Sequence, residues 1–439
     1  MSSKNLSNRR AGSRRGAKAP KAAPGTTDLD RPLKLASAQA LASAGLYVRT
    51  NVVLSEPRSA TTAGKWVTDI TDVDVMGIIH TLDLRADTSC VTCKGGVSVS
   101  VLHETFALAG VMRYLRAQRG YGVFVQKATE PHMVALAEQL DIAVMDEPEW
   151  THWRRRVAGP RPVPRTFEDR IDEVLGDQLS RRTDLTELLS YLRAEFWYFR
   201  DYRNVQNLIG QLRRVAGQLR PEPIPAFVVL DACGQFALAV LQLCERVSAS
   251  GVMRLTDTVP PYLFGGISTY RNRRDLLRRV EEFMRRKEVL DTAQSMPSLD
   301  PAYVPELCEL VLRFCNKPAA AGRVPQYLNF CAGEVAAQVA GERSVSRAHG
   351  EDDLTEKLAF DLLDFVGKAA RINPDLIRAL QGSATALATG GRPGGAGGAE
   401  GREHRSTATI GTAPEESHSR AAGPQRSLLE VPEEPPSRS

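Results

Sequence analysis

The sequence predicts an α/β protein: a mixed sheet flanked by helices in the N-terminal third, followed by an all-α C-terminal part. Three observations predict it. Short β-branched runs alternate with segments of helical period between Leu33 and Met145. Beyond Thr166, apolar residues recur almost only at helical spacing. The two ends of the 439-residue chain are poor in large apolar residues and rich in Arg, Gly, Pro, Ser and Glu, a composition that cannot offset the entropy of ordering.

Leu33, Leu35, Ala36, Ala40, Leu41 and Ala44 predict an opening helix that stops at Gly45. Leu46 to Leu54, Val67 to Ile79 and Ser89 to Lys94 read as three strands, because each is β-branched or alternating. After Gly95 and Gly96, Val101, Thr105, Leu108, Met112 and Leu115 keep a helical period, with Gly120 as the expected stop. A buried strand follows at Tyr121 to Gln126. A helix opened by Pro131 then runs to Leu140, and a last strand spans Ile142 to Met145. The order α, β, β, β, α, β, α, β predicts a mixed sheet with crossover helices rather than a βα array from the start.

Trp150 to Arg165 holds Trp153, Arg154, Arg155, Arg156, three prolines and no acid after Trp150. It reads as a linker. The expected organisation is a basic tail at 1–27, a sheet domain at 28–149, this linker at 150–165, a helical domain at 166–382 and a low-complexity tail at 383–439.

Net charge is +5, and the first tail alone carries seven basic residues and no acid, so the folded part is close to neutral and not globally basic. No uninterrupted apolar run of spanning length stands out, and the N-terminus lacks a signal peptide's apolar stretch. No membrane partner is expected. Seven cysteines, an odd number with several inside apolar patterns, read as reduced, packed thiols, and the expected compartment is the cytoplasm. Cys90 and Cys93 form one CxxC pair without a second, whereas structural zinc needs four ligands. No phosphate-binding Gly-Lys-Ser/Thr loop and no Gly-x-Ser-x-Gly elbow occurs.

The chemistry is concentrated between Thr68 and Glu104. Asp72 and Asp74 alternate onto one face of the second strand, and Thr92 and Lys94 share a face of the third. Two adjacent strands thus direct a carboxylate and an ammonium to one point, an arrangement suited to Mg²⁺ and to phosphodiester hydrolysis.

Thr71-Asp72-Val73-Asp74-Val75-Met76-Gly77, Val91-Thr92-Cys93-Lys94 and the helix His103-Glu104-Thr105-Phe106-Ala107-Leu108-Ala109-Gly110 resemble the metal strand, the (D/E)-x-K strand and the backing helix of the PD-(D/E)xK nuclease superfamily. The resemblance covers Leu33 to Glu147. It implies a restriction-endonuclease-like fold, Asp74 as principal Mg²⁺ ligand, Asp72 as supporting acid, Lys94 as catalytic lysine and DNA as partner. The acid two residues before the lysine is here Thr92, which carries no charge. Glu104 in the following helix is a substitute, as Asp87 is more weakly, and the opening helix offers no acid between Pro32 and Asn51.

Two readings follow. Either the site is a rearranged or degenerate metal-dependent nuclease in a DNA-associated protein, or the nuclease-like domain is inactive and the helical domain recruits a protein partner. Arg154, Arg155 and Arg156 beside Trp150 and Trp153 are candidate phosphate contacts, with a solvated linker as the plain alternative. Phe196, Trp197, Tyr198, Phe199 and Tyr202 read as helix-bundle core. The Arg-rich stretch from Arg271 to Lys287, interrupted by Asp275, Glu281 and Glu282, reads as a solvated helix face.

Overall fold

The computed structural model describes residues 29–56, 68–127, 130–158, 169–199, 202–250, 254–287, 298–341 and 353–388. The expected N-terminal tail and all but the first residues of the C-terminal one lie outside them.

The N-terminal part follows the expected order: α1 (Asp30–Ser43), β1 (Tyr47–Glu56), β2 (Thr68–His80), β3 (Ala86–Lys94), α2 (Val101–Leu115), β4 (Arg119–Phe124), α3 (Pro131–Glu138), β5 (Ile142–Met145) and α4 (Glu147–Ala158). The strands form one sheet in the order β1-β2-β3-β4-β5. β1, β2 and β3 are antiparallel neighbours, whereas β3, β4 and β5 are parallel, joined by α2 and α3 as crossovers. Gly45 ends α1 with φ +94, as its position predicts. α2 stops earlier than Gly120, at Arg116 in a left-handed conformation.

Each sheet face is covered. α1 and α4 bury one face through Leu41, Val75, Val91, Val123, Trp150 and Trp153. α2 buries the other through Leu108, Met112, Phe124 and Ile142. Cys90 and Cys93 fall in these two different clusters, the alternation expected of a strand.

The helical part comprises α5 (Asp169–Ser180), α6 (Thr186–Ser190), α7 (Phe196–Phe199), α8 (Arg203–Val215), α9 (Pro223–Ser250), α10 (Leu255–Leu263), α11 (Ile267–Arg286), α12 (Val304–Asn316), α13 (Pro318–Ala321), α14 (Val324–Val339), α15 (Asp353–Ala370) and α16 (Pro374–Ala388). α9 is its centre. It is the one helix among the described residues long and apolar enough to cross a membrane, contrary to the expectation that no such run stands out, and nearly nine-tenths of its most apolar stretch is buried inside the protein. An all-round apolar helix is what a bundle centre requires.

Three boundaries differ from expectation. The linker at 150–165 is helical as far as Ala158, because Trp150 and Trp153, three residues apart on one helix face, are buried against the sheet; residues 159–165 lie outside the described residues. The boundary at 382 falls inside α16, whose Ala-rich end continues the helix to Ala388. The sheet and helical parts, expected as two domains, belong to one compact unit. Whereas the core under α1 and α4 is a separate cluster, the core on the α2 face of the sheet is continuous with that of the helices. Polar ties reinforce it: Arg49 of β1 pairs with Asp231 of α9, Gln326 Nε2 donates to Ala42 O at 2.8 Å, and Asn329 Nδ2 donates to Val48 O at 3.3 Å.

Candidate functional site

The β2–β3 ladder pairs Val75 with Val91 and goes no further toward the Asp74 end, so Asp74 and Thr92 face each other where the two strands part. On the other side of β2, Asn51 stands opposite Asp74 with φ +51, and the β1–β2 pairing skips this position. Asp74 thus points into a gap in the sheet. Its side chain is only 5% exposed, so its charge needs partners.

It has several. Lys34 of α1 places Nζ 2.7 Å from Asp74 Oδ1 and also donates to Asn51 Oδ1 at 3.0 Å. Thr92 Oγ1 donates to Asp74 Oδ2 at 3.2 Å, and the Cys93 backbone N–H donates to the same oxygen at 2.8 Å. Lys94 Nζ lies 3.9 Å from Asp74 Oδ2 and 3.8 Å from Glu104 Oε2. Lys34, Asp74, Lys94 and Glu104 form a chain of alternating charge whose sum is zero.

Neighbouring contacts fix this chain. Asp30, in the first turn of α1, accepts the Gly95 backbone N–H at 2.6 Å. A Cβ at Gly95 would stand 2.6 Å from Leu29 Cβ and 2.9 Å from Leu29 O, so glycine is what lets the start of α1 close on the end of β3. One turn after Lys34, Ser37 Oγ accepts from Trp150 Nε1 at 3.1 Å and lies 3.8 Å from Cys93 Sγ. α4 is thereby braced against the helix that carries Lys34. Burial, and next the Asp74 charge, push the Cys93 thiol up to about 12, so it is no nucleophile at neutral pH.

The structure brings Asp74, Lys94 and Glu104 together, as a working site would require. Asp72 is exposed, two residues before Asp74 on β2. Asp87 pairs with Ile79 at the far end of the β2–β3 ladder, away from Asp74. Arg154 stacks over the Trp150 ring at 4.5 Å, while Arg155 and Arg156 are exposed. Sequence reasoning missed Lys34. The signal was present: Lys34 is the one charged residue between Leu33 and Val48, three and four residues before Ser37 and Ala38 on the buried stripe of α1.

The donor set does not fit a divalent cation. Hard cations need several oxygen ligands, and both Asp74 oxygens are engaged by N–H and O–H donors. Thr92 adds a donor rather than a carboxylate, and Glu104 is held by Lys94. Among the described residues no group of three or more His, Cys, Asp or Glu side chains is placed to hold a metal. The arrangement holds two ammonium groups, from Lys34 and Lys94, against one buried carboxylate. No family model, no curated protein and no solved structure matches the chain.

Proposed function

We propose that the chain is a nuclease-like, DNA-associated cytoplasmic protein whose phosphodiester site is degenerate, so that it holds DNA without cutting it. The observation that carries this reading is Lys34 Nζ at 2.7 Å from Asp74 Oδ1: an ammonium of the protein neutralises the carboxylate that a metal-dependent nuclease reserves for its cation. Thr92 in place of an acid works in the same direction. The exposed Arg155 and Arg156, on a helix braced against α1, supply phosphate contacts beside the site.

A second reading has its own observation. Glu104 comes within 3.8 Å of Lys94, which supports a rearranged active site with its second acid on α2. Nicking of supercoiled plasmid with Mg²⁺ or Mn²⁺, run beside duplex binding by fluorescence anisotropy, separates the two. Binding without nicking is expected. Nicking by the parent protein that disappears in Lys94→Ala overturns the degenerate reading in favour of the rearranged one. Neither nicking nor binding leaves the protein-recruiting role of the helical part.

A further inference from the structure

α11 is unlike the other long helices: none of its residues is buried. Leu276 is 61%, Val280 38% and Phe283 57% exposed. Spacings of four and three place them on one stripe of the helix. Cations stand beside this stripe, Arg279 and Arg286 three or four positions away along one side and Lys287 at its C-terminal end, while Arg273 on the other side packs over the Phe264 ring at 5.3 Å. Eight basic residues stand against three acidic ones from Ile267 to Lys287. The opposite side of the helix faces the body: Tyr270 Oη donates to Asp300 Oδ2 at 3.0 Å, and Arg274, Leu277 and Glu281 line an open groove with Leu299 and Asp300.

We infer that the outward stripe of α11 docks on an anionic lipid bilayer. A predominantly polar helix with a charged face and with Phe or Leu set between basic residues lies in the plane of a membrane interface, its apolar side chains below the headgroups and its cations among them. Charge complementarity selects the surface. A second copy of α11 would bring like-charged rows together. DNA offers phosphates but no apolar bed for Leu276, Val280 and Phe283. A partner's hydrophobic groove would need to enclose a helix whose other side is already held to the body. One flat stripe is available, and a flat anionic surface meets it. The binding is peripheral and separate from the Asp74 site, on whose reading it does not rest.

The test is sedimentation of the full chain with vesicles of phosphatidylcholine, with and without phosphatidylglycerol. Phe283→Trp serves as reporter. The expected result is binding to the anionic vesicles only, weakened by added salt, with a blue shift and protection from quenching in the emission of the introduced indole. Phe283→Asp and Val280→Asp, both at exposed positions, should each lower the vesicle affinity about tenfold or more, while circular dichroism stays unchanged. No binding to anionic vesicles, or undiminished binding by both Asp variants, overturns the inference. So does a concentration-dependent dimer that Phe283→Asp dissolves, which would assign the stripe to a second copy. Loss of duplex binding in Phe283→Asp with vesicle binding intact would assign it to nucleic acid.

Discussion

Lys34 and Asp74 are forty residues apart in sequence and 2.7 Å apart in space, joining the opening helix to the central antiparallel strand. Asp74 is 5% exposed and Lys34 18%, so most of the water that would otherwise solvate this carboxylate is excluded. Lys34→Ala removes the closest cation and leaves Thr92, the Cys93 N–H and the more distant Lys94. A stability loss of about 2–3 kcal/mol is expected, smaller than for a fully buried pair whose partner has no other donors. Urea denaturation of Lys34→Ala, Asp74→Asn and the double variant measures it. The double variant should recover part of the loss, and strict additivity would show that the two side chains do not interact.

The same geometry makes a prediction about divalent cations. The parent protein should show no Mg²⁺-dependent rise in Tm, because its buried carboxylate is already neutralised by an ammonium. Replacing Lys34→Glu together with Thr92→Glu removes that competitor and adds two carboxylates. At ten times its dissociation constant, a cation bound only by the folded state adds about 1.4 kcal/mol. The double variant should gain a Tm increment with Mg²⁺ or Mn²⁺ that the parent lacks. A rise already present in the parent would mean that Lys34 yields to the metal.

The ion pair between Arg49 and Asp231 ties β1 to α9, with side chains 17% and 8% exposed. Asp231→Ala leaves the Arg49 guanidinium largely buried without its carboxylate, and an expected loss of about 3–5 kcal/mol follows. Arg49→Met with Asp231→Leu should restore much of it, since packing can replace a buried pair. Because one face of the sheet shares its core with the helices, unfolding followed by tryptophan fluorescence and by circular dichroism should coincide in one transition. Two separated transitions would show that the halves fold independently.

These ties also mark where the sequence was legible. Alternation and period were enough to place β5 and α2, and the element order to Met145, because those elements each bury one face and the pattern of that face is local. Lys94 and Glu104 were legible for the same reason, from the end of β3 and the first turn of α2; Asp74 comes to them although strand parity breaks at it, since Val73 and Val75 fall in the cores on opposite faces and the face it was expected to share with Asp72 is lost. Lys34 was not, since its partner is set by how α1 crosses the sheet, a tertiary angle with no local signature. Trp150 and Trp153 were misread because arginines and prolines dominate the stretch, although only the spacing of the two indoles decides that it is helical. The joining of sheet and helices through Arg49, Asp231, Gln326 and Asn329 was hidden altogether, as polar residues in apolar segments look the same whether they face water or one another.

Gly120 gives a packing prediction. A Cβ there would stand 2.5 Å from Met112 Sδ and 2.7 Å from Ile142 Cγ1, so β4 approaches α2 and β5 too closely for a side chain. Gly120→Ala should cost about 1–3 kcal/mol by overpacking. Combining it with Met112→Ala should recover stability relative to the sum of the single variants. Simple additivity would locate the strain at Ile142 instead.

Six of the seven thiols are buried, and Cys315 on α12 is only half-buried. Hydrogen bonding to the neighbouring Cys244 thiol of α9, which also reaches Val311 O at 3.9 Å, lowers the Cys315 pKa to about 7 against the opposing effect of burial, with Ser248 adding to the lowering. Cys244 itself is pushed well up, first by burial, so Cys315 is the member of the pair that ionises. The thiolate is the nucleophile, and the alkylation rate of Cys315 by iodoacetamide should rise with pH through a midpoint near 7, while Cys93 and Cys331, both raised to about 12 by burial, stay unlabelled in the folded protein. Peptide mass spectrometry after timed alkylation reads each site separately. Cys244→Ala removes the donor and should move the Cys315 midpoint up toward the ordinary thiol value of about 8.5, whereas Cys244→Ser keeps a donor and should hold it near the parent. A midpoint unmoved by Cys244→Ala would assign the shift to Ser248 rather than to the neighbouring thiol.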